Sequence, residues 1–75
     1  MTLSALKPQT TAVIKSVDLK SEDKAVLWEL GVIVGAKITL IRFFIGKTAL
    51  VVVDGAVVAV GREYADKITV EICGE

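Results

Sequence analysis

The segment Trp28–Phe44, WELGVIVGAKITLIRFF, restricts the fold more than any other part of the chain. A short helical pattern runs into it, two glycines stand four residues apart, and a strand pattern runs out of it. Ser21 is placed as the helix N-cap, with Glu22 and Asp23 at the positive end of the helix dipole. Val26, Leu27 and Leu30 share one face, and Trp28, about 100° round from Leu27, is placed at the edge of the core. A helix of about ten residues does not stand alone in water, so it must dock on something. Gly31 falls where a left-handed residue closes the last helical turn without a Cβ penalty, and Gly35 makes a second turn. Both are expected at positive φ.

Beyond the glycines, Ile38 and Leu40 alternate with Lys37 and Thr39, which sends Ile38 and Leu40 inward. Thr11 to Val17 reads as a first strand, and Ala49–Val53 and Ala56–Val60 as a hairpin. Asp54-Gly55 between them is the dipeptide of a two-residue type I′ turn. Gly61 to Asp66 reads as one helical turn, and Ile68 to Ile72 as a closing strand. Five short antiparallel strands that bury a helix face and one another make a small, partly open barrel, mainly β, with one short inserted helix.

Size makes the packing demanding. At 75 residues the chain is one domain, and small domains often need staples. Here there is one cysteine, Cys73, and no histidine, so neither an internal disulfide nor a zinc site of thiolates and imidazoles is available. The hydrophobic share, 53%, puts the burden on the core. The apolar stretch ALVVVDGAVVAV is split by Asp54-Gly55, and no run approaches the roughly 20 apolar residues of a membrane span. The amino end lacks the pattern of a signal peptide, which gives a cytoplasmic expectation.

Catalytic chemistry finds little to use. No histidine is present, no two carboxylates are paired by spacing, and nothing near Cys73 would lower its pKa. Gly46-Lys47-Thr48 resembles the end of a P-loop, but position 41 is isoleucine and a strand follows, so no nucleotide or other cofactor is expected. Asp54, Glu63 and Asp66 offer oxygens for a divalent ion without a spacing that recommends one, so a metal-sensing barrel stays as an alternative. A nucleic-acid-binding barrel is the other: Phe43 and Phe44 beside Arg42 and Lys47 form a minimal stacking platform. Zero net charge and scattered cations argue against it. Phe43 and Phe44 cannot both enter one core unless the strand ends or bulges there. An exposed apolar patch of Val32, Ile33, Phe43, Phe44 and Ile45, with Lys47, is therefore the candidate partner-binding site. Arg62 beside Glu63 and Tyr64 reads as a surface ion pair.

The order of these pieces resembles the FeoA family, the small cytoplasmic ferrous iron transport proteins A. The resemblance rests on LSALKP at the amino end, LWELGVIVGAKITLIR after the first strand, and VAVGREYADKITVE at the close. Val34 stands where the family often has proline, and Phe43 to Lys47 is shorter than the usual loop. The resemblance implies an SH3-like barrel over residues 1–75. It implies a non-catalytic protein-binding module that regulates FeoB, the membrane ferrous transporter, by docking on its cytoplasmic part. Weak self-association is compatible with such a module.

Overall fold

The computed structural model describes residues 1–73. A 3₁₀ turn, Leu3–Ala5, precedes β1 (Thr11–Val17), α1 (Ser21–Glu29), β2 (Lys37–Phe43), β3 (Ala49–Val53), β4 (Ala56–Val60), α2 (Arg62–Ala65) and β5 (Ile68–Ile72). The strands form one antiparallel sheet in the order β4-β3-β2-β1-β5. Two register shifts, between Ile14 and Ser16 against β5 and between Leu40 and Arg42 against β3, add local twist and bend the sheet round its own apolar face. The ends of the order, β4 and β5, do not pair with each other, so the barrel is open on that side.

Alternation explains which residues fill it. Ala12 and Ile14 on β1, Ile38 and Leu40 on β2, Val51 and Val53 on β3, and Val58 and Val60 on β4 are all buried, each two residues from its mate. Every buried residue among those described is apolar, and no buried side-chain polar atom lacks a partner. Asp54 and Gly55 have φ of 53° and 79°, as a type I′ hairpin requires at both central positions.

The glycine pair behaves as its spacing requires, with φ of 88° at Gly31 and 92° at Gly35. At the end of α1 the Val32 N–H donates to the Leu27 carbonyl and the Gly31 N–H to the Trp28 carbonyl, both at 2.9 Å. This is the Schellman pattern, and the two residues that make its usual apolar contact, Leu27 and Val32, are each 2% exposed and belong to the same buried cluster. A turn over Ile33–Ala36 follows, closed by the Ala36 N–H on the Ile33 carbonyl, with Gly35 at its third position. The Gly35 N–H then donates to the Ile14 carbonyl and the Ile14 N–H to the Ala36 carbonyl, which ties the turn to β1.

Two expectations about α1 need correction. Ser21 is the first helical residue rather than the cap. Lys20 holds the cap position in extended conformation, and no side chain bonds the helix start. Of the expected apolar face only Leu27 is buried, whereas Val26 is 54% and Leu30 43% exposed. The strands already fill the barrel with their own side chains, so a two-turn helix at its margin inserts one residue and no more. α1 is also held from α2, where the Tyr64 O–H donates to Asp23 Oδ1 at 3.2 Å.

Candidate functional site

The bulge in β2 decides the fate of the aromatic pair. Alternation alone would put Arg42 inward with Ile38 and Leu40. The register shift after Leu40 instead leaves Arg42 exposed and lets Phe43 pack partly buried against the core. Phe44, past the strand end, is 41% exposed, and Ile45 at the loop tip is fully exposed. The loop is held by the Phe44 N–H on the Thr48 carbonyl and the Lys47 N–H on the Phe44 carbonyl, with Lys47 itself at φ 69°.

The two halves of the sequence-derived patch do not meet. Ile38 faces Val53 at one end of the β2–β3 pair, and Phe43 faces Ala49 at the other. Ile33 lies near the first end, beside Lys37, Val53 and Asp54. Phe44, Ile45 and Lys47 follow the second end. Five residue steps of β2, from Ile38 to Phe43, separate them, about 17 Å at about 3.3 Å per residue. Val32 is a further correction: its side chain is in the core, pinned there as the apolar partner of Leu27 in the helix-closing motif, and it offers no docking surface of its own.

Cations cover the aromatic rings of the loop. The Arg42 guanidinium sits 5.2 Å from the Phe44 ring centroid, and Lys47 Nζ sits 5.5 Å from that of Phe43. These are cation–π contacts within the chain, each placing a cation over one face of a ring. Arg62 pairs with Asp66 one helical turn on, Nε to Oδ2 at 3.9 Å, rather than with its neighbour Glu63. Among the described residues no three of His, Cys, Asp and Glu come together as a metal site would need.

Trp28, expected at the edge of the core, is 67% exposed. It forms one wall of an open groove of about 610 Å³ between α1 and the segment after Gly31. Ser21, Lys24, Ala25 and Trp28 line the helix side, Ile33 and Val34 the opposite side, and Val17 and Val32 also face it. Ile33 is 37% and Val34 61% exposed, so the lip is apolar, with Lys24 as its one cation. The signal for this face was present in the three- and four-residue spacing of 21, 25 and 28. An exposed tryptophan was hidden because an apolar residue on a short helix is ordinarily assigned to the core.

The fold and this surface define a class: a small SH3-like β barrel that presents apolar contact surface. The family model for the FeoA domain matches residues 1–72, and the chain belongs to the FeoA family. The solution structure of FeoA from Chlorobium tepidum is similar at TM-score 0.92 and 33% identity, over 99% of this chain and 71% of that one. A zinc complex of FeoA from Stenotrophomonas maltophilia, described as a prokaryotic SH3 domain protein and a candidate bacterial ferrous iron transport activating factor, is similar at TM-score 0.77 and 32% identity. It covers 95% of this chain and 89% of that one. IdeR from T. acidophilum is similar at TM-score 0.86 and 26% identity, over 97% of this chain but 34% of its own. Among curated proteins none matches.

Proposed function

We propose that this chain is a non-catalytic accessory module of ferrous iron uptake that docks on the cytoplasmic part of a FeoB-type membrane transporter and regulates it. Family membership supports the transport context, and the exposed groove walled by Trp28 is the observation that carries the docking. A tryptophan left two-thirds in water beside exposed Ile33 and Val34 is the kind of anchor that dominates binding energy once a partner covers it. Lys24 at the rim favours a partner segment whose apolar side chains are followed by an acidic one. The loop from Phe44 to Lys47, at the far end of β2, is a second contact point on the same partner. Within the described residues no helix is long and apolar enough to cross a membrane, so membrane association in this reading comes through the partner.

The test is capture of a detergent-solubilised FeoB-type transporter by the immobilised chain. Trp28→Ala should weaken retention at least about thirtyfold, the equivalent of about 2 kcal/mol for a hot-spot residue. Ile45→Ser reports separately on the loop. Failure of the wild-type chain to retain the transporter, or retention unchanged in both variants, would refute the reading.

A further inference from the structure

The two edges of the sheet are treated differently. At β5 the amino terminus closes the outer edge: Thr2 bridges Thr69, and the Val70 N–H donates to the Met1 carbonyl at 2.7 Å. At β4 nothing among the described residues takes that place. The edge strand Ala56–Val60, AVVAV, has no charge, no proline and no bulge against β3, three of the devices by which proteins blunt an exposed edge.

The hairpin register fixes which backbone groups face out. In a two-residue hairpin the pair flanking the turn, Val53 and Ala56, exchanges both hydrogen bonds. Alternation then makes Val51–Val58 and Ala49–Val60 bonded pairs, and turns the N–H and C=O of Val57 and Ala59 away from β3. Outside the strand ladders neither N–H has a backbone partner among the described residues, and the register against β3 uses neither. Beside them on the outer face lie the side chains of Val57, 62% exposed, and Ala59, also exposed.

We propose that β4 pairs with β4 of a second copy of this chain, antiparallel about a two-fold axis at Val58. In that register Val57 of each copy exchanges two hydrogen bonds with Ala59 of the other, and the larger side chain lies over the smaller. Every residue of the strand finds an uncharged partner. The same register brings the turn that carries Asp54, two residues before β4, to the end of the partner strand that Arg62 follows by two residues, so the flanking charges are opposite rather than like, with Arg62 also beside Asp66 of its own chain. Self-complementarity of shape and charge favours a second copy over an unrelated strand. The joined outer faces would continue the stripe of Leu50, Val52 and Val57. One strand pair is smaller than the roughly 1,200 Å² of a stable interface, so the dimer forms at high protein concentration.

Sedimentation velocity over a rising concentration series tests this. The wild-type mass should climb from the 8.0 kDa monomer towards twice that value. Ala59→Pro removes the outward N–H and leaves the β3 ladder intact, since an edge strand tolerates proline where its N–H faces solvent. It should hold the chain at the monomer mass at every concentration with its circular dichroism unchanged. If that variant fails to fold, Val57→Lys, on the exposed face, should shift dimerisation at least tenfold higher in concentration. In mixed labelled and unlabelled wild type, an intermolecular contact between the Val58 α-protons identifies the register. A chain that stays monomeric throughout, a dimer that survives both substitutions, or intermolecular contacts at Trp28 instead would overturn the proposal.

Discussion

Gly31 and Gly35 allow a prediction in which sterics and backbone strain separate cleanly. A methyl added at Gly31 would meet only Val53 Cγ2 at 3.9 Å, an ordinary contact, and one at Gly35 would meet nothing within 4 Å. Replacement by alanine therefore costs only the backbone strain of holding an L-residue at φ of 88° or 92°. Left-handed strain is about 1–2 kcal/mol. The stiffer unfolded chain returns about 0.4–1 kcal/mol of that. The net loss is about 1 kcal/mol at each site, which lowers the melting temperature by about 4–8 °C in a domain of this size. Gly61 is the internal control, because it sits at φ −60° and ψ 154° with nothing near its missing Cβ. Gly61→Ser should raise stability by about 0.4–1 kcal/mol, since the conformation suits any residue and serine also caps α2. The assay is urea unfolding followed through the single tryptophan, with midpoints compared at constant slope. Losses below about 0.5 kcal/mol at both Gly31 and Gly35, within the scatter of neutral surface changes, would refute the reasoning. So would a loss at Gly61 equal to theirs.

Leu27→Ala removes the only buried side chain of α1 and should cost about 2–5 kcal/mol, a large part of the about 4–11 kcal/mol expected of 75 residues. Amide exchange should accelerate in α1 more than in β2 and β3, and equal acceleration everywhere would count against a marginally attached helix. The Asp23 carboxylate, by its charge and by accepting the Tyr64 hydrogen bond, raises the Tyr64 pKa above the ordinary 10.0. The stability this pair contributes is complete below the unfolded value and is lost as pH rises through the higher folded one. Asp23→Asn should therefore move the tyrosinate absorbance transition of the single tyrosine to lower pH, and an unmoved transition would exclude the contact. Trp28→Ala, followed by circular dichroism because the chain then has no tryptophan, should leave the unfolding free energy within about 0.5 kcal/mol of wild type, since the ring is mostly in water, whereas a larger loss would place it in the core.

Local chemistry was enough for most of the architecture. The positive-φ demands of Gly31, Gly35, Asp54 and Gly55 and the two-residue alternation of Ile38, Leu40, Val51 and Val53 depend only on neighbours along the chain, so the strand boundaries and hairpin were legible from residues alone. The family was legible for the same reason, since its pattern is carried by those turns and the strands between them. The candidate site was not. Val32 was misplaced because its burial comes from a contact with Leu27 made only when the helix closes. Phe43 could be sorted from Phe44 only by a bulge, which depends on pairing with β3. Trp28 faces solvent because the barrel is already filled from other strands.

From its sequence alone this chain determines where it turns, which strand residues face inward, and which side-chain types it has to work with, a set with one cysteine and no histidine. Those properties follow from backbone sterics and from side-chain inventory. Tertiary structure decided which apolar residues remain outside: the groove at Trp28, the loop tip at Ile45 and the open edge of β4. Exposure depends on competition for a finite interior, and the winners are known only once all strands are in register.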